Sequence, residues 1–107
     1  MSLLKLNDMV NGWFVGDFEP SAYKTAACEV AVKKYTAGDS EPKHYHKVAD
    51  EVTLILSGRV MMNNSEYTSG QIVVIKAGES TDFFAIEDSK TVVVKTPSCA
   101  NDKFLID

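Results

Sequence analysis

The sequence predicts an all-β domain, a sandwich or barrel of short strands. Three observations carry this. Runs of β-branched and apolar residues such as Gln71-Ile72-Val73-Val74-Ile75 are bounded by glycine, asparagine, serine and proline. Such runs recur about every ten residues with turns between them. No stretch carries a 3.6-residue apolar period.

The elements follow in order. The segment from Asn7 to Ala22 has no clear period; its Trp13, Phe14 and Phe18 are expected to cover a barrel end or to meet a partner subunit. Ala27 to Lys33 alternates small or apolar residues with polar ones, the pattern of a half-buried strand. Thr36 to Pro42 is rich in breakers and reads as a turn region. Glu51 to Leu56 is a strand, ended by Gly58, and Arg59 to Met62 resumes as another. Asn63-Asn64 suits a tight hairpin because asparagine tolerates positive φ. Glu66 to Thr68 is a short strand, and Ser69-Gly70 turns the chain into the buried-type run from Gln71 to Ile75. Ala77-Gly78-Glu79 turns it again. Thr81 to Ile86 and Lys90 to Lys95 are the last strands, and Pro97 stops the second.

A chain of 107 residues is long enough for one domain with a single core, so residues 1–107 are read as one unit. The net charge of −4 and the scattered lysines offer no basic stripe for phosphates, which argues against nucleic acid as partner. The start breaks into polar residues before an apolar region builds, unlike a secretory signal. No apolar run approaches membrane-spanning length, so no membrane partner is expected. Cys28 and Cys99 lie far apart with no CxxC neighbour; they read as two free, buried thiols in a reducing cytoplasm.

The only two histidines stand one residue apart, in His44-Tyr45-His46, with Glu51 downstream and Gly38 and Gly58 on either side. Two imidazoles and a carboxylate bind a divalent transition metal while leaving coordination positions open. Along a strand, residues two apart share a face, so His44 and His46 project together. Glu51 lies an odd number of positions from His46 and would face away on an unbroken strand. Lys47 to Asp50 must therefore bend or bulge. With Glu51 turned inward, Thr53, Ile55 and Ser57 follow it.

The segment from Gly38 to Gly58 reads G-x5-H-x-H-x4-E-x6-G. It resembles the first conserved motif of the cupins at every fixed position, a match expected by chance on the order of once in thirty thousand. The second cupin motif is only partly present. Gly70 and Gly78 stand in its glycine positions, while Lys76 replaces its proline, Thr81 the histidine of a fourth metal ligand, and Ala85 its asparagine. The resemblance covers about residues 28–95, with 1–27 as N-terminal strands or a dimer arm. It implies a double-stranded β-helix, or jelly-roll, barrel with a metal in its mouth, often as a homodimer. His44, His46 and Glu51 match ligand positions one by one; Fe, Zn, Mn and Ni all suit them. Thr81 leaves three protein ligands where the family pattern has four.

Two readings of function follow. In the first, the chain is an enzyme: a mononuclear metal acts on a small polar molecule, with dioxygenation, sugar or sugar-phosphate isomerisation and decarboxylation as the reaction classes the resemblance implies. Thr53, Ser57, Thr81 and Phe83 would line the pocket. In the second, the barrel binds a small molecule without chemistry, as the departures at Lys76, Thr81 and Ala85 suggest. Lys34 and Arg59 are cations that could meet an anionic ligand, although a solvated surface role is the more common one for either, and Tyr35 and Tyr67 are open between core and pocket. A homodimer is expected to cover outer apolar positions such as Val52, Leu54 and Leu56.

Overall fold

The computed structural model describes residues 1–106 and is all-β apart from one 3₁₀ turn at Leu6–Asp8. Eleven strands follow one another: β1 (Trp13–Gly16), β2 (Tyr23–Lys24), β3 (Glu29–Tyr35), β4 (Ser40–Tyr45), β5 (Asp50–Ser57), β6 (Arg59–Met62), β7 (Ser65–Thr68), β8 (Ile72–Ile75), β9 (Ser80–Ala85), β10 (Ser89–Thr96) and β11 (Phe104–Leu105). They form two sheets, one ordered β2-β1-β3-β10-β5-β8 and the other β11-β4-β9-β6-β7. All pairings are antiparallel except β1 with β2. No helix among the described residues is long and apolar enough to cross a membrane.

The inner faces of the sheets are uneven, and this unevenness positions the site. Along β5 the inward residues run Glu51, Thr53, Ile55, from polar to apolar. Ile55 belongs to a closed apolar cluster with Val60, Met62, Ile75, Phe83 and Ala85. Glu51 and Thr53 belong instead to a buried polar group with His44, His46, Thr81 and Thr91. One part of the barrel is therefore a packed core and another is a lined polar cavity. Desolvated polar side chains are costly unless they are paired or bind something, so the polar part is the candidate site.

Local chemistry explains several turns. Met62 pairs with Ser65 across Asn63 and Asn64, whose φ values are 49° and 65°. These are the two left-handed residues that a type I′ hairpin requires, as the sequence suggests. Gly58 has φ 90°, and a Cβ there would lie 2.2 Å from the Ser89 hydroxyl oxygen and 2.5 Å from the Asp88 carbonyl oxygen. The β5–β6 junction thus needs glycine for both conformation and space.

Other elements depart from the sequence reading. The Asn7–Ala22 segment holds β1, which joins the larger sheet beside β3 with a register shift between Trp13 and Val15. Pro42 falls within β4, where the pairing with β9 is irregular between Glu41 and His44; a strand admits proline at such a bulge. The β8 run is not buried on both faces. Val73 and Ile75 point inward, while Ile72 and Val74 are 61% and 54% exposed on the outer face of an edge strand. β11 pairs with His44 and Tyr45 of β4, and no periodic pattern signals so short a strand. Cys28 and Cys99 are free, as expected, but partly exposed rather than buried.

Candidate metal centre

His44 lies near the end of β4 and His46 just beyond it, and both imidazoles are buried, at 7% and 5% exposure. The chain then bends through Lys47–Ala49 and enters β5, which turns Glu51 inward at 9% exposure. The bend that the odd spacing demands has a definite cause. The Asp102 carboxylate accepts hydrogen bonds from three successive amides, Lys47 at 2.9 Å, Val48 at 3.1 Å and Ala49 at 2.9 Å. Those amides leave the strand ladder and need an acceptor. Burial works against the charged form of Asp102, but the amides outweigh it and hold the carboxyl below its usual range.

Asp102 also acts through its backbone. Its carbonyl oxygen lies 2.5 Å from His46 Nδ1. The Pro42 carbonyl oxygen lies 3.0 Å from His44 Nδ1. A carbonyl can only accept, so each Nδ1 carries a proton, and in the neutral ring each Nε2 then presents a lone pair. Metal-binding histidines are fixed in the same manner.

His46 Nε2 is buried with no hydrogen-bond partner and sits 3.6 Å from Glu51 Oε1. The other carboxylate oxygen, Oε2, accepts the Thr53 hydroxyl at 3.0 Å. Burial acts to raise the Glu51 carboxyl's pKa, but contact with His46, the Thr53 bond and the Lys95 charge together hold it below the ordinary range. In this tautomer two acceptor atoms face each other, which a proton or a cation between them resolves. Two ligands each ~2.1 Å from one ion at a tetrahedral angle are about 3.4 Å apart, close to this separation. The His44 and His46 rings meet edge to face with centroids 5.3 Å apart. Among the described residues no set of three or more His, Cys, Asp and Glu side chains is gathered as a metal site. The structure therefore brings two donors face to face and stands the third beside them. As a donor set, two fixed imidazoles and a carboxylate fit a divalent ion.

Two cavities adjoin these residues. One of about 270 Å³ is lined by His44, Glu51, Thr53, Thr81 and Phe83. The other, of about 440 Å³, is lined by His46 and Asp102, and the two share Lys95 and Lys103. Thr53, Thr81 and Phe83 line the first cavity, whereas Ser57 is exposed and absent from it. The β5–β10 pairing shifts between Lys90 and Thr91, so the inward alternation ends at Ile55. Thr81 pairs with His44 across the β4–β9 ladder, but its hydroxyl donates to the Asp82 carbonyl at 2.9 Å. Lys34 is exposed outside the cavity, and Arg59 pairs with Glu66 on the surface.

The wall also holds residues that the motif did not single out. The Tyr35 hydroxyl donates to Glu41 Oε1 at 2.6 Å, and its ring lies 4.3 Å from that of Phe83. Burial first, and then the Glu41 bond, push the Tyr35 phenol well above its ordinary range. Trp13, Lys33, Lys95 and Lys103 also line the cavity. Residue-type spacing carries no signal for these positions, because they come from β1, β3, β10 and the C-terminal loop.

No protein-family model and no curated protein sequence matches the chain. Solved structures do match in fold. An uncharacterized conserved protein with a double-stranded β-helix domain from Klebsiella pneumoniae superposes with TM-score 0.69 at 22% identity, over 76% of this chain and 71% of that one. The polyketide cyclase RemF from Streptomyces resistomycificus superposes with TM-score 0.67 at 16% identity, over 78% and 63%. A cupin-2 domain containing protein from Shewanella frigidimarina gives 0.56 at 18%, over 67% and 72%. The fold is thus the double-stranded β-helix, the barrel that the first motif implies.

Proposed function

We propose that this barrel binds a divalent transition metal through His44, His46 and Glu51 and uses it on a small polar molecule. The observation that carries the reading is the buried, unpartnered His46 Nε2 facing Glu51 Oε1 at 3.6 Å. A buried lone pair without a donor is unfavourable, and an ion is the partner that also satisfies the carboxylate. A bound ion would supply Lewis acidity with positions left open for a ligand. Around it, Thr53 fixes one oxygen of Glu51, Asp102 fixes the His46 tautomer, and Phe83 excludes water from one side of the cavity. The cavity volume of about 270 Å³ lies below that of drug-sized sites, which favours a small ligand.

The test is a Co(II) titration followed by visible absorption. Wild-type protein should develop saturable d–d bands, and Glu51→Gln and His46→Ala should each weaken binding at least tenfold. Bands of equal strength in both variants would place the ion elsewhere.

A second reading, a binding barrel without catalysis, is favoured by Thr81. Its hydroxyl is turned to a backbone carbonyl, so the fourth position of the motif offers no imidazole. Turnover abolished by His46→Ala, with the fold intact, would exclude this reading. Fold alone does not decide, since one barrel hosts many activities.

The protein is also proposed to be a homodimer. Leu56, Ile72 and Val74 are exposed on the outer face of the larger sheet, beside the half-buried Val52 and Leu54. Light scattering should give twice the chain mass, and Val74→Lys should shift it towards the monomer. A monomeric mass at high concentration would contradict the dimer.

A further inference from the structure

The cavity that reaches Glu51 has an electrostatic feature outside the metal motif. Three lysines line it, Lys33, Lys95 and Lys103, together with three carboxylates, Glu41, Glu51 and Asp82. The carboxylates are committed. Glu41 accepts from Tyr35 at 2.6 Å, Glu51 from Thr53 at 3.0 Å, and Asp82 from the Asn63 amide at 2.8 Å. The lysines are held more loosely. Lys33 Nζ reaches the Asn11 carbonyl at 3.3 Å, and Lys95 Nζ stands 3.7 Å from Glu29. Both ammonium groups lie over one indole, that of Trp13, at 5.8 Å and 4.9 Å from the ring centroid. Like charges gathered in one concavity repel; Glu29 beside Lys95 and Glu41 near Lys33 offset part of that repulsion, and a ligand anion between the lysines would offset more. Burial, with the nearby charges of Lys103 and Lys95, holds the Lys33 ammonium below its ordinary pKa despite Glu41.

We propose that this lysine cluster is an anion subsite and that the cavity's ligand is a small organic acid, its carboxylate held by Lys33, Lys95 and Lys103 beside Trp13. Among the described residues lining the cavity there are lysines and no arginine, and no helix contributes to the lining. Arginine and helix N-termini are the devices that most favour phosphate. The choice of ligand class deepens the metal reading: a divalent ion would turn a balanced wall of three lysines and three carboxylates into one with net charge +2. The subsite is distinct from the ion's site, because Lys33, Lys95, Lys103 and Trp13 are none of the proposed metal ligands.

Trp13 is the only tryptophan, so its fluorescence reports on this cavity. Malonate should perturb the emission saturably, malonamide should not, and inorganic phosphate should bind more weakly than malonate. Lys33→Gln and Lys95→Gln should each weaken malonate binding about tenfold, the effect of one lost charge contact of about 1.4 kcal/mol. Lys34→Gln, exposed outside the cavity, should leave it unchanged. Lys103→Gln, at an exposed position, gives a variant that keeps the Lys95–Glu29 pair. Equal affinity for malonamide, tighter binding of phosphate, or malonate binding indifferent to all three cavity lysines would overturn the inference.

The same titration on His44→Ala/His46→Ala separates the two claims. Lysine-dependent malonate binding in a chain that takes up no metal would retain the subsite and remove the metal reading. Metal binding without any malonate response would do the reverse.

Discussion

Asp102→Ala should be among the most damaging single substitutions, costing about 3 kcal/mol of stability and tenfold or more in metal affinity. The stability loss arises because three successive amides, those of Lys47, Val48 and Ala49, lose their acceptor at the bend. At about 4–8 °C per kcal/mol for a domain of this size, the melting temperature should fall by roughly 12–24 °C. The affinity loss arises because the released bend no longer aims Glu51 at His46. Asp102→Asn keeps one carbonyl oxygen and should lose less. Denaturant unfolding and competition with a metal indicator measure the two effects separately, and unchanged values of both would refute the role. A pH dependence follows with a definite sign. The folded Asp102 carboxyl lies below its unfolded value near 3.9, so its contribution is present above that pH. It is lost as the pH falls through the folded value, and Asp102→Ala should flatten the acid limb of the stability curve.

Gly58→Ala should be comparably severe. A methyl group at this position would overlap the Ser89 hydroxyl and two backbone atoms, all within 2.7 Å, at a φ of 90°. The overlap and the left-handed backbone together should cost about 3–4 kcal/mol. Gly38 is an informative comparison, because it also has positive φ, 94°, but a Cβ there would meet nothing within 4 Å. Gly38→Ala should therefore cost only the conformational penalty, about 1–2 kcal/mol. Equal unfolding midpoints for the two variants would show that the β5–β6 junction relaxes, contrary to the close packing described.

The sequence is legible where chemistry is local and illegible where it is assembled from distant segments. Alternation along β5 correctly turns Glu51, Thr53 and Ile55 inward, because one face of that strand is buried. The same rule fails at Ser57, where the β10 partner slips register just before Gly58. Asn63-Asn64 was readable because its φ values are a property of the residue type. The need for a bend between His46 and Glu51 could be inferred from an odd spacing, but its cause could not. Asp102 lies more than fifty residues downstream of the amides it binds. Its loop sits beside β4 through the two-residue β11, which is too short for any period. The cationic wall is illegible for a similar reason. Lys34 is a cation on the same strand as Lys33, and only the pairing of β3 with β10 and β1 brings Lys33 and Lys95 to Trp13.

The central claim is that His44, His46 and Glu51 together hold one divalent ion. The most direct measurement is the metal content of protein purified without chelators, set beside that of the His44→Ala/His46→Ala variant. The expected result is close to one equivalent of a transition metal in the wild type and only a trace in the variant. Equal content in both, or no metal in either after incubation with Fe(II), Zn(II), Mn(II) and Ni(II), would contradict it.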